Sequence, residues 1–259
     1  MVREDAGGFT AGDRVAAMPV IGGLAETVAV DADMVFPLPA QVPSDKGAAL
    51  PLNYLTMHFA LTRRAKLKTG ETVLVHGAAG GVGTAACQLA AADGARVIAV
   101  VSTPDKGEVA RAAGAHEVVP VDGFRDEVRR LTDGRGVDVV VDPVGGDRFT
   151  DSLRALAREG RLVVLGFTGR EIPTVKVNRL LLSNTTVMGA ASAEFWRSEP
   201  GYAVRQWRDL VPLMQSGAID PPIGSVFALD QTAAAIREID QRRAAGRVLV
   251  RVRGTTPSR

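Results

Sequence analysis

Thr72-Val73-Leu74-Val75-His76-Gly77-Ala78-Ala79-Gly80-Gly81-Val82-Gly83 is the stretch whose reading decides the fold of this chain. A short apolar run leads straight into a glycine-rich turn, and a helical pattern opens at once on the far side. An apolar run of this kind suits a strand covered on both faces, as in parallel sheets. Strand, glycine turn and helix in immediate succession are the context a dinucleotide fingerprint requires. Gly80 lets a backbone come close to a pyrophosphate, and Gly83 lets the helix pack closely on the strand. The helix start adds free N–H groups and a positive dipole end. Ala78 replaces the first glycine of the usual G-x-G-x-x-G, so the turn there tolerates a Cβ. Ala79, Gly80, Gly81, Val82 and Gly83 are the cofactor contacts expected in this loop.

Working outward, strands are predicted over 72–76, 96–101, 117–121, 137–141 and 161–165, with helices over 83–92, 104–113, 124–131 and 148–157 between them. Regular alternation of strand and helix means right-handed βαβ units, hence an α/β fold with a doubly wound parallel sheet. Residues 1–45 hold only short strand-like runs broken by Gly, Pro and Asp. Toward the other end, Val204, Trp207, Leu210, Val211 and Met214 recur at helical spacing with Gly217 as a stop. Asp230 can cap a second helix running through Arg242, and 248–252 returns as a strand. Neither end alone has enough apolar residues for a core, which predicts that the last segments pack back on the amino-terminal region.

The balance of 31 basic and 29 acidic residues leaves no basic stripe for nucleic acid. A single cysteine, Cys87, excludes an intrachain disulfide and fits a reducing, cytoplasmic setting. The start, Met1-Val2-Arg3-Glu4-Asp5, has acids where a secretory signal has a basic region. No apolar run approaches the length of about 18 residues that would suggest a membrane span.

Which dinucleotide binds is set at the end of the second strand. NAD-preferring folds place an acid there to hold the ribose hydroxyls. Here the strand ends Val100-Val101-Ser102, and the first acid, Asp105, falls inside the next helix, because Ser102 or Thr103 makes a good cap and Pro104 suits the first helical position. Ser102, Thr103 and Lys106 remain, two hydroxyls and a cation suited to a 2′-phosphate. NADPH is therefore expected. The same absence of an acid argues against an S-adenosylmethionine methyltransferase, which also uses a glycine loop on such a sheet.

The chain resembles the zinc-free quinone oxidoreductase branch, zeta-crystallin-like, of the medium-chain dehydrogenase/reductase superfamily. The resemblance is carried by Gly12-Asp13-Arg14-Val15-Ala16, Leu55-Thr56, the block from Gly70 to Gly83, Asp142-Pro143-Val144-Gly145-Gly146 and the closing Gly246-Arg247-Val248. It implies a Rossmann domain inserted into a GroES-like β-barrel domain, NADPH in the cleft between them, and hydride passed to a quinone or an α,β-unsaturated carbonyl. It also implies a homodimer formed through the Rossmann domain. Carried onto this chain, 1–45 is a remnant of the GroES-like domain, 46–192 the NADPH-binding domain and 193–259 a segment returning to the catalytic domain. Thr56 would sit near the nicotinamide, and Gly166, Phe167 and Thr168 at the carboxyl edge where the cofactor's other half lies.

Three departures from the family pattern accompany this. Members begin with a longer segment that builds the first half of the barrel, whereas this chain starts just before Gly12, so only a partial barrel is expected. Val121 stands where some members have a tyrosine near the adenosine phosphate. The Cys and His/Glu set of zinc-dependent relatives is missing.

Hydride transfer asks for close approach and orientation more than for a protein acid or base. Tyr54 and His58 flank Thr56 and could donate a proton, but both lie on an apolar helix-like run over 52–61, where packed aromatics are commoner. Asp142 reads as a loop-shaping acid and Cys87 as a small buried residue. A dinucleotide-binding protein with little turnover is the other reading, and cofactor affinity without catalysis would be its signature.

Overall fold

The computed structural model describes residue 2 and residues 7–252. The expectation drawn from Glu4 and Asp5 falls on residues outside these. The chain opens with β1 (Val15–Ala17) and β2 (Val35–Pro37), an antiparallel pair. Helix α1 (Ser44–Ala49) and α2 (Pro51–His58) follow, and α2 runs on as π-helical turns over Phe59–Ala65 until Lys66 turns left-handed at φ 51°. Then comes the alternation: β3 (Thr72–His76), α3 (Gly81–Ala92), β4 (Arg96–Val101), α4 (Pro104–Ala112), β5 (Glu117–Pro120), α5 (Phe124–Leu131), β6 (Val137–Asp142), α6 (Phe149–Ala155), β7 (Leu156–Val164), α7 (Asn178–Ser183) and β8 (Thr186–Gly189). Last are α8 (Ser192–Ser198), α9 (Tyr202–Ser216), β9 (Ile223–Ala228), α10 (Thr232–Asp240) and β10 (Arg247–Arg251).

The six central strands pair in the order β5-β4-β3-β6-β7-β8, all parallel. This is the doubly wound Rossmann arrangement, and its order reverses between β3 and β6, which opens a crevice at their carboxyl ends. Every residue of β3 and β6 is buried, as continuous apolar runs flanked by helices on both faces require.

Three elements, α6, β7 and α10, depart from the expected boundaries. The helix expected over 148–157 ends at Ala155, and β7 begins at Leu156 rather than at residue 161. Its pairing with β6 jumps from Val137–Leu156 to Val139–Arg161, because Glu159 sits at φ 61° and bulges the strand outward. The polar Arg158-Glu159-Gly160 of that bulge hides the strand from a reading of apolar runs. Asp230, expected to cap a helix, lies instead in a 3-10 turn (Leu229–Gln231), and Gln231 precedes the helix proper. Helix α10 stops at Asp240, just before Arg242, which adopts φ 57°.

Strands β9 and β10 form a parallel pair apart from the main sheet. They and α9 pack on the amino-terminal elements, as the shortage of apolar residues at either end predicts. Trp207 of α9 stacks on Phe36 of β2 at 5.0 Å between ring centroids, and its indole N–H donates to the Pro37 carbonyl at 2.9 Å. Lys46 of α1 donates to Asp220 and to the Pro221 carbonyl, each at 2.9 Å. Buried Gln206 donates to the Leu55 carbonyl at 2.8 Å and accepts from the Trp196 indole at 2.7 Å, which ties α8 and α9 to α2.

Candidate dinucleotide site

The loop after β3 is built by three glycines with different roles. Gly77 takes the left-handed conformation, φ 60°, that turns the chain out of the strand. Ala78 is thereby freed from the positive φ that its glycine counterpart would supply, and its Cβ is buried. Gly83 faces the strand end so closely that a Cβ there would lie 2.2 Å from the Gly77 carbonyl oxygen and 2.6 Å from Ala78 Cα. The helix–strand packing read from the sequence is therefore obligatory at this position. Gly80, which precedes α3, is different. A Cβ on it would meet only the Gly77 carbonyl, at 3.4 Å, so the space in front of it is open. The first bond of the helix is Thr84 N–H to the Gly80 carbonyl at 2.8 Å, which leaves the earlier amides of the first turn pointing outward.

The other predicted contacts lie on the same carboxyl edge of the sheet. Thr103 caps α4, its hydroxyl accepting from the Lys106 amide at 3.4 Å, and Asp105 falls in the first turn. Ser102 and Thr103 are exposed, with Lys106 partly so. Past β7, the stretch 165–169 runs against the loop after β6. Leu165 N–H donates to Asp142, Thr168 N–H and hydroxyl both donate to the Pro143 carbonyl at 3.1 Å, and Gly169 N–H donates to Val144. Phe167 packs over Gly145, where a Cβ would come within 2.9 Å of its ring. Asp142 holds that loop, accepting from the Val144 and Gly145 amides at 2.8 and 2.9 Å. Its carboxyl is pushed up by burial, against the pull of those two amides.

One residue that sequence reasoning missed joins the two sides. The Arg242 carbonyl accepts from Lys106 Nζ at 2.7 Å, and its guanidinium donates to the Thr168 carbonyl at 3.0 Å. Lys106 follows β4 and Thr168 follows β7, with β3 and β6 between them, so the loop after α10 spans the mouth of the crevice. The same loop touches the glycine turn, where Gly246 N–H donates to the Ala79 carbonyl at 2.8 Å. Nothing local in residues 241–246 announces this; only the fold brings them there.

Thr56 lies half-buried on α2, with its hydroxyl 3.0 Å from that of Ser192 just beyond β8. Its neighbours are committed elsewhere. The Tyr54 hydroxyl is buried and donates to Gln88 at 2.5 Å, and burial pushes its pKa up. His58 Nδ1 is 3.2 Å from the Gln206 amide, and burial lowers its pKa against the pull of Asp209 and Asp93. Cys87 is buried on α3 with its thiol pushed up to about 12 by burial. Among the described residues, no three His, Cys, Asp or Glu side chains come together as a metal set.

The family profile of zinc-binding dehydrogenases matches residues 81–216, from the phosphate loop to the end of α9. Quinone oxidoreductase-like protein 2 of Bos taurus is 38% identical over 242 residues, covering 92% of this chain and 69% of its own length. This chain is a quinone oxidoreductase-type medium-chain dehydrogenase/reductase. It therefore belongs to a family of oxidoreductases. A probable oxidoreductase from Mycobacterium abscessus superposes on this family member with a TM-score of 0.86 at 42% identity, covering 96% of this chain and 77% of the other. A mycobacterial protein solved in complex with NADPH superposes equally well, TM-score 0.86, at 32% identity over 93% of this chain and 75% of the other. The residues of this reductase-family chain fit a dinucleotide: the space before Gly80 is open, and buried Asn53 Nδ2 and Arg247 Nε have no hydrogen-bond partner beside the loop.

Proposed function

We propose that this oxidoreductase uses NADPH to reduce a quinone or an α,β-unsaturated carbonyl. The observation that carries the reading is the crevice between β3 and β6, with an open Gly80 at its floor and Lys106 at its adenosine side in place of an acid. Support for NADPH comes from the mycobacterial neighbour solved with it, and support for the acceptor from the name of the bovine relative. In this proposal the first amides of α3, with Ala79, Gly80, Gly81, Val82 and Gly83, hold the pyrophosphate. Ser102, Thr103 and Lys106 receive the 2′-phosphate; Gly166, Phe167 and Thr168 line the nicotinamide half, and Thr56 positions the ring. NADPH supplies a hydride when bound. The residues of the chain orient the two partners, and the reduced acceptor takes its proton from water, which agrees with the commitment of Tyr54 and His58 to packing. Zinc independence belongs to the same proposal, supported by a lone buried cysteine and three histidines far apart in sequence.

In domain terms we assign 46–192 to NADPH and 1–45 with 193–259 to the catalytic side. The homodimer implied by the family is supported by the free edge of β8 and by Leu181 and Leu182 of α7, 76% and 78% exposed. No helix among the described residues is long and apolar enough to cross a membrane. The unpaired cysteine accords with a cytoplasmic setting. Acceptor-dependent loss of the reduced-nicotinamide absorbance, followed with a panel of quinones and enones, tests the activity. Saturable turnover with either class supports it; turnover with neither contradicts it.

A further inference from the structure

The loop that follows α10 crosses the mouth of the crevice and is held very differently along its length. Its exit is fixed by backbone alone. Gly246, at φ 78°, donates its N–H to the Ala79 carbonyl at 2.8 Å, and a Cβ there would meet the Pro222 carbonyl oxygen at 2.6 Å. Arg247 N–H donates to that same oxygen at 2.8 Å. Before the exit, side chains make the attachments across the crevice. The Arg242 carbonyl accepts from Lys106 Nζ at 2.7 Å on the β4 side. On the β7 side the Arg242 guanidinium donates to the Thr168 carbonyl at 3.0 Å, and Arg170 pairs with Asp240 at 3.1 Å.

The attachments on the β7 side are weak. Arg170 and Asp240 are 76% and 69% exposed, and an ion pair in that setting contributes little and is screened by salt. Arg242 and Arg170 both adopt the left-handed conformation, at φ 57° and 70°, which strains a residue that carries a Cβ. Strain therefore falls on the two residues that fasten the loop. The segment leading in is lightly seated as well. From residue 229 to residue 245 only Ala235 is buried, and Ile236 and Ile239 of α10 stand more than half exposed. A segment with few buried apolar groups and exposed hydrogen bonds opens while the rest of the fold stays intact. Strands β3 and β6 beneath it are buried throughout.

Lys106 and Thr168 stand at the two ends of the seat that the proposed function gives to the dinucleotide. A ligand that spans both ends is crossed by the loop between them, and it enters or leaves when the loop lifts. We propose that residues 240–245 are a strap over the crevice, latched to the β7 side by Arg242 on Thr168 and by Arg170 on Asp240, and that its release sets the rate of cofactor exchange. The proposal rests on the reading of the crevice as an NADPH site. It accounts for two strained arginines at one crossing, since the strain offsets the contacts and leaves the strap closed without locking it. Steps of this kind, rather than chemistry, limit turnover in many enzymes.

The test uses the full chain with Arg170→Gly, Arg242→Gly and the two together. Glycine removes each guanidinium and accepts the left-handed conformation, so the fold should be kept, and Arg242→Gly leaves its carbonyl to Lys106. Stopped-flow mixing with NADPH gives both rate constants. In the double variant association and dissociation should each quicken about five- to twenty-fold, with Kd within about three-fold of the parent. Rate constants within about two-fold of the parent would overturn the strap. So would faster dissociation with unchanged association, which would mean that the arginines grip the cofactor themselves. Limited digestion without ligand reads the same latch independently, because trypsin cuts after Arg243 and cleavage there follows the raised population. Arg170→Gly should be cut at this point about three- to ten-fold faster than the parent. If the parent does not bind NADPH, that reading falls while digestion still judges the latch: faster cutting in the variant upholds it, and equal cutting overturns it.

Discussion

His76 ends β3 with no solvent exposure, its Nε2 2.8 Å from the Ser152 hydroxyl and its Nδ1 without a partner. Burial, with Arg148 adding to it, lowers its pKa from 6.5 to about 3, so the folded ring is neutral over nearly the whole acid range. In the unfolded chain the ring takes a proton below 6.5. The unfolded state therefore binds more protons between those two values, and stability falls as pH drops through that window. The loss reaches roughly 5 kcal/mol at its foot. His76→Gln, which keeps a polar group toward Ser152 but does not titrate, should make the melting temperature decline less steeply from pH 6.5 downward. Parallel declines in parent and variant would show that this histidine does not govern acid stability. The position was legible only as the end of a strand. Its commitment to Ser152 on α6 and the edge-to-face Phe124 ring, 4.9 Å away, comes from long-range packing that no local pattern encodes.

The β3–loop–α3 element separates folding from binding at two glycines. Gly83→Ala forces a Cβ against backbone atoms at 2.2 and 2.6 Å, which a flexible side chain could evade but a carbonyl cannot. Unfolding by denaturant should show a loss of about 2–3 kcal/mol or more. Gly80→Ala meets only one atom at 3.4 Å, and its cost should be about 1 kcal/mol or less. Yet the new methyl stands in the open space before the helix, so NADPH should bind about ten-fold more weakly. Equal effects of the two substitutions on both stability and affinity would contradict this division. This element was legible almost whole because its determinants are consecutive: an apolar strand, then Gly77, Gly80 and Gly83. The β7 bulge at Glu159 and the strands β8 and β9 were hidden. The bulge is polar, β8 is four residues long, and β9 alternates half-buried with exposed positions. The partners of the loop were hidden more deeply, since Asn53, Gly246 and Arg247 reach it only after both chain ends have packed.

Across the whole molecule, one core runs from Phe36 and Leu38 through Tyr54 and the sheet residues Val73 and Val97 to Trp207 and Leu210. The cofactor crevice is thereby framed by the sheet, by α2 and by the chain's last loop and strand. The free edge of β8, with Leu181 and Leu182 beside it, should pair with a second copy, and sedimentation equilibrium should return twice the chain's 27.2 kDa. A monomeric mass at all concentrations would remove the dimer. The preference proposed for NADPH draws on the same frame, because the Arg242 carbonyl holds Lys106, the residue to which the proposal gives the 2′-phosphate. Equilibrium titration of the chain with NADPH and, separately, NADH is the most direct test. NADPH should saturate one site per chain about ten-fold or more tightly than NADH, with Lys106→Ala erasing the difference; failure of NADPH to bind, or a preference for NADH, would contradict the account.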